Sequence, residues 1–169
     1  GAIRAAQLHR DDVSLSWMPL THDMGLIGLH IFMLTAGMQV MQMPTDLFVR
    51  RALLWLQAAS RKRATVLCSP NFGYRHYLKV LGDRPVEGLD LGAVRIIFNG
   101  AEPISAALCD EFLGRLRPAQ LRREAMYPVY GLAEASVAVS FPAPLSPLRM
   151  LPLDRHQMKV GDTARVLER

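Results

Sequence analysis

Four short segments place groups capable of chemistry directly after runs of apolar residues. The first is Ser16-Trp17-Met18-Pro19-Leu20-Thr21-His22-Asp23-Met24-Gly25. Here a His–Asp pair follows a strand-like run, and Gly25 would let a ligand approach the backbone. Taken alone, Asp23 reads as a helix cap and His22 as a loop residue. The second segment, Ser69-Pro70-Asn71-Phe72-Gly73-Tyr74, is a turn followed by aromatic residues that either wall an apolar pocket or belong to the core. The third, Phe98-Asn99-Gly100-Ala101-Glu102-Pro103, has small residues whose backbone N–H and C=O groups can reach a flat heterocycle; it reads equally well as a tight turn. The fourth is Val129-Tyr130-Gly131-Leu132-Ala133-Glu134-Ala135-Ser136. A helix start there offers N–H groups to an anion, and Ser136 adds a hydroxyl. Glu134 would repel that anion unless a divalent cation lay between them; otherwise it complements the helix dipole.

The elements that must hold these segments alternate. Strands are predicted over Val13–Met18, Met38–Met43, Ala64–Cys68, Val94–Phe98 and Met126–Tyr130. Between them the pattern predicts a helix from Asp23 to about Thr35, closed by Gly37, and one capped by Thr45 or Asp46 that runs to about Ser60. The latter has Phe48, Ala52, Trp55 and Ala59 on one face. Further helices are expected over Asn71–Leu81, from Pro103 to about Arg117, and over Leu132–Val139. The alternation predicts an α/β fold, a mainly parallel sheet with helices on both faces. In such sheets ligands bind at the carboxyl ends of the strands, where all four segments fall. Four prolines between Pro142 and Pro152 mark residues 142–169 as an extended connector, beside an α/β subdomain over residues 1–141.

Composition narrows the classes. The 169 residues are 50% hydrophobic and 21% charged, which excludes a disordered chain and fits one domain. Two cysteines cannot build a disulfide framework or a four-ligand zinc site, so a reducing compartment, the cytoplasm, is expected. The net charge is +5, and the seven basic residues between Asp46 and Asp83 meet no acid there. No nucleic-acid-binding motif accompanies them, so no nucleic-acid partner is expected. From Met24 to Thr45 no Asp, Glu, Lys or Arg occurs, the length of a membrane span. His30, Gln39, Gln42, Gly37 and Pro44 instead make it a buried helix, a glycine stop and a short strand, with no membrane span.

Taken in order, the four segments resemble those of the adenylate-forming superfamily, and most of all the fatty acyl-AMP ligases. These carry Trp-x-Pro-x-x-His-Asp-Met-Gly-Leu-Ile-Gly, matched from Trp17 to Gly28, then Ser-Pro-Asn-Phe, Asn-Gly-Ala-Glu-Pro and Tyr-Gly-Leu-Ala-Glu-Ala. The resemblance implies that Tyr130 stacks on adenine, with Gly131, Ser136 and the Asn99, Gly100, Ala101, Glu102 loop around the adenylate. It further implies that Glu134 holds Mg2+ against the phosphates of ATP, that His22 borders the reacting carboxylate, and that Gly28, Asn71 and Phe72 lie near the acyl chain. Thr21 and Gly73 depart from the family, where an aromatic residue and Ala are common. The implied reaction activates a fatty acid as acyl-AMP and passes it to the phosphopantetheine thiol of an acyl carrier protein, with coenzyme A as the alternative acceptor. A non-catalytic α/β module that binds a nucleotide or a partner is the alternative of another class. The family's phosphate-binding loop and catalytic lysine are not found, and Gly161-Asp162-Thr163 is no convincing ribose-binding segment. The 169 residues alone are therefore expected to be inactive.

Overall fold

A computed structural model describes residues 1–161 and 163–167; Asp162 of the Gly161-Asp162-Thr163 segment lies outside them. Among the described residues five parallel strands form one sheet in the order β2-β1-β3-β4-β5, with β1 Val13–Ser16, β2 Gln39–Gln42, β3 Val66–Cys68, β4 Ile96–Asn99 and β5 Met126–Pro128. Each strand is where the apolar pattern predicts one, its ends trimmed by at most two residues, except that β4 runs one residue further, to Asn99. The register pairs Leu15 with Met41 and Leu67, Leu67 with Ile97, and Phe98 with Tyr127. The order reverses at β1, whose two neighbours are β2 and β3. Right-handed crossovers therefore send the β1–β2 connection to one face and the later connections to the other.

The second face carries α3 (Thr45–Arg50), α4 (Leu53–Lys62), α5 (Asn71–Leu81) and α6 (Ala106–Leu116). An aromatic spine joins them to β1. Trp17 stacks on Phe48 with centroids 4.0 Å apart and meets Trp55 and Phe72 edge-on, and Trp55, Tyr74 and Tyr77 continue to Phe112. Phe48, Ala52, Trp55 and Ala59 are all buried, as their spacing predicts. They do not share one helix. The chain breaks at Arg51 (φ −142°) between α3 and α4, and α3 begins after Pro44 with no side-chain cap. Thr45 donates its hydroxyl to the Trp17 carbonyl instead of capping.

On the first face a short helix, α1 (Ala2–Ala5), lies against α2 (Phe32–Thr35), which continues a π-helix over Met24–Ile31. Asp23 caps it, accepting from Met24 N–H at 2.7 Å, and Gly37 ends it at φ +73°. The expected helix is present, but its first two turns are wound one residue wider than an α-helix. No helix of the described residues is long and apolar enough to cross a membrane.

Two further expectations fail for local reasons. Pro103 does not open α6: Ser105 caps it, accepting from Leu108 N–H at 3.3 Å, and the helix ends at Leu116 before a 3-10 turn holding Pro118. The segment Leu132–Val139 is not a helix beyond the single 3-10 turn Ala133–Ala135. Positive φ at Ser136 (+54°) and Val137 (+79°) turns the chain back, so that Tyr130 bridges Ser140 antiparallel. Gly131 permits this, because a Cβ there would lie 1.9 Å from the Val137 carbonyl oxygen. Beyond Phe141 the described residues hold no strand, only an isolated Leu153–Val166 bridge and a 3-10 turn over Arg155–Gln157.

At the amino edge of the sheet Asp12 is fully buried. It accepts from the Arg95 guanidinium and, at 2.7 Å, from the Thr65 hydroxyl. Arg95 also donates to the carbonyls of Ala6 and Gln7, tying the first twelve residues beneath the strands. Burial alone would raise the Asp12 pKa; the bonds from Arg95, Thr65 and the His9 N–H outweigh it and hold the carboxyl below the usual carboxylate range.

Candidate active site

Because all five strands are parallel, the segments after β1, β3, β4 and β5 emerge at one edge. Two cavities open there. The larger, about 580 Å3, lies between the π-helix and the uncovered face of β4 and β5; Met24, Leu29, Met33, Phe98, Val129 and Val137 wall it, and His22, Asp23, Ala101 and Gly131 meet it. The smaller, about 290 Å3, sits where the strand order reverses, between Trp17, Pro19, Thr45, Pro70, Phe72 and Glu102. His22 and Ala101 line both, so they form the partition between an apolar chamber and the switch point of the sheet.

His22 is half-exposed on the loop after β1. Its Nδ1 accepts from Met24 N–H at 3.1 Å and lies 2.8 Å from Asp23 Oδ1. Gly25 lets the loop fold this tightly, since a Cβ there would lie 2.2 Å from the Pro19 carbonyl oxygen. Ala101 is held at φ +69°, which L-residues rarely adopt. Gly100 packs against Val129, where a Cβ would come within 2.9 Å of Cγ2.

The remaining predicted residues divide. Tyr130 stands directly beyond β5, 65% exposed, with its ring open to solvent. Glu134 and Ser136 are exposed on the reversal that follows, and among the described residues the Glu134 side chain makes no hydrogen bond or ion pair. Asn99 lies beneath the site: fully buried, it donates to Cys109 Sγ at 3.2 Å, and its carbonyl accepts from Val129 N–H at 2.8 Å. Asn71 is buried and donates to the Pro103 carbonyl, while Phe72 is half-exposed on the smaller cavity. Gly28, half-buried on the π-helix, lines neither cavity. The walls of the larger chamber went unmarked in the sequence because Met24, Leu29, Met33, Phe98 and Val129 are apolar, and apolar residues at those spacings read as core. Asp23, read as a cap, both caps and meets the chamber.

This arrangement of loops has close counterparts. The AMP-binding enzyme family matches residues 2–167. The chain belongs to the AMP-binding enzyme family. The 4-hydroxyphenylalkanoate adenylyltransferase of Mycobacterium marinum is 37% identical over 153 residues, 90% of this chain and 24% of that protein. The medium-chain-fatty-acid–[acyl-carrier-protein] ligase JamA of Moorena producens is 38% identical over 130 residues, 77% of this chain and 22% of that one. Among solved structures, the fatty acid AMP ligase from Legionella pneumophila superposes with a TM-score of 0.92 at 32% identity, covering 98% of this chain and 29% of its own. The fold expected from the alternating pattern is the fold of this AMP-binding family member. The chain spans about a quarter of the length of the curated relatives it matches.

Proposed function

We propose that this chain forms the acyl- and adenylate-binding part of a fatty acid–AMP ligase. The observation that carries the reading is the 580 Å3 apolar chamber opening at the carboxyl edge beside His22 and Ala101. A deep apolar cavity with a few polar groups at its mouth suits an alkyl chain whose head group must be presented for reaction. A Legionella fatty acyl-adenylate ligase solved with acyl adenylate and pyrophosphate shares the fold at TM-score 0.92.

In this reading the fatty carboxylate rests at the partition, attacks the α-phosphorus of ATP and expels pyrophosphate. Exposed Tyr130 offers its ring face to adenine, and Gly100 and Ala101 bring backbone close to the base. Gly131, with no room for a side chain, keeps the turn below the nucleotide tight. The His22 ring lies at the meeting point of carboxylate and phosphate, held by the Met24 N–H and beside Asp23. The unpaired Glu134 carboxylate suits a magnesium ion shared with phosphate oxygens, since that ion is commonly held by one or two carboxylates and its substrate. Bound there, Mg2+ would offset the repulsion between two anions. Residues 142–169 lead from this subdomain as a connector. The thiol acceptor is the phosphopantetheine arm of an acyl carrier protein, a reading supported by the Ser-Pro-Asn-Phe segment and by relatives such as JamA.

The test is pyrophosphate release and acyl-AMP formation by the full-length polypeptide with ATP, Mg2+ and fatty acids of graded length. Transfer is then offered to a carrier protein and to coenzyme A in parallel. Absence of acyl-AMP with every chain length would reject the ligase; transfer only to coenzyme A would reject the acceptor.

A further inference from the structure

Two of the four segments are joined by a reciprocal pair of side-chain bonds that neither forms alone. α5 starts after Pro70, whose side chain cannot cap it. The missing acceptor comes from the loop after β4: Glu102 Oε1 accepts from Phe72 N–H at 2.8 Å, placing a carboxylate on the first turn of α5. In return Asn71 Nδ2 donates to the carbonyl of Pro103. The bonds flank opposite ends of a two-residue span that follows Ala101, the residue held at φ +69° and shared by both cavities.

We propose that Glu102 and Asn71 are positioning residues, a clasp that holds Ala101 in its left-handed conformation and so fixes the partition where acyl chain and nucleotide meet. The inference rests on the ligase reading for its kinetic consequence, but not for the clasp itself. Releasing it lets Ala101 relax toward negative φ, which moves one wall of each cavity. Both substrates should then feel a single substitution on either side of the clasp.

The experiment uses the full-length polypeptide as wild type, Glu102→Ala, Glu102→Gln and Asn71→Ala. Amide hydrogen exchange is read at Phe72 and over residues 99–103, alongside KM for ATP, KM for fatty acid, and kcat. Glu102→Ala should speed Phe72 exchange about tenfold and raise both KM values by a similar factor, as expected for losing a charge-assisted bond. Glu102→Gln, which keeps a carbonyl acceptor, should recover most of both. Asn71→Ala should loosen residues 99–103 in the same way. Unchanged exchange in Glu102→Ala overturns the clasp, and faster exchange with unchanged KM values overturns its positioning role. If the wild type makes no acyl-AMP, the ligase reading fails. The clasp is then upheld by faster exchange of residues 99–103 in both alanine variants and overturned by its absence.

Discussion

At the scale of single residues, the site and the scaffold make opposite demands on carboxylates. Glu134 is exposed and its side chain bonds nothing among the described residues, so its removal should cost the fold nothing. Glu134→Gln in the full-length polypeptide is expected to lower pyrophosphate release by at least a hundredfold, since positioning a metal is worth several kcal/mol of transition-state stabilisation. The thermal midpoint should stay within a degree or so; release near the wild-type rate would make Glu134 an ordinary solvated carboxylate. Asp12 is the reverse case, buried and bonded to Arg95 and Thr65. Asp12→Ala leaves a guanidinium with few partners and should cost about 3 kcal/mol in urea unfolding. Because its folded pKa is depressed, Asp12 contributes fully above the unfolded carboxylate pKa of ~3.9. That contribution is lost as pH falls through the lower folded value. Unfolding free energy measured from pH 6 down to pH 2 should therefore fall on the acid side in wild type and show a shallower fall in Asp12→Ala.

At the scale of elements, what was legible in the sequence depended on whether neighbours in the chain or neighbours in space decided the outcome. The strands and α5 were legible because apolar periodicity and flanking Pro or Gly are local signals; α5 spans Asn71–Leu81, the predicted range. The α3–α4 break and the start of α6 were not, because Trp17 claims the Thr45 hydroxyl and Asn71 claims the Pro103 carbonyl. The reversal after Tyr130 hid behind a helical composition, Leu-Ala-Glu-Ala, and is enforced by contacts of Gly131 with Val137. Of the cavity linings, His22, Ala101, Glu102, Phe72 and Gly131 stand in the four segments marked in the sequence, while the apolar walls of the larger chamber read only as core. Gly73, a departure from the resembling family, acquires a reason here. A Cβ at that position would lie 2.1 Å from Ser69 Oγ and 2.6 Å from Trp17 Cζ2. The serine can rotate; the indole, stacked on Phe48, has little freedom. Gly73→Ala is expected to destabilise by about 1–3 kcal/mol as an overpacked core does, read as a lower urea midpoint. Adding Trp17→Phe should recover part of the loss, and a Gly73→Ala variant as stable as wild type would show that Trp17 moves freely.

At the scale of the whole molecule, charge and topology each set a direction. Arg51, Arg61, Lys62, Arg75 and Lys79 are exposed along the stretch that holds α3, α4 and α5, and among the described residues their side chains form no hydrogen bond or ion pair, while Arg50 and Arg63 reach Asp46 and Asp90. Such a face should steer an acidic carrier protein, and the steering should weaken with salt. Acyl transfer to the carrier by the full-length polypeptide is expected to slow several-fold between about 50 and 500 mM salt. Changing Arg61, Lys62 and Arg75 to Ala should flatten that dependence, and an unaltered salt profile would make the patch ordinary solvated surface. The strand order also carries a timetable. β1 lies inside the sheet, yet its neighbour β3 leaves the ribosome some fifty residues later, a wait of about 3–10 s at ~5–20 residues per second. Until then one edge of β1 is bare and open to any other nascent strand. Its sequence, Val-Ser-Leu-Ser, places two hydroxyls where a buried parallel strand would ordinarily carry aliphatic side chains, and in the finished protein Ser14 Oγ finds no partner. The unpaired Ser14 hydroxyl costs the finished protein stability, and it leaves β1 with one aliphatic side chain fewer while its edge waits for β3.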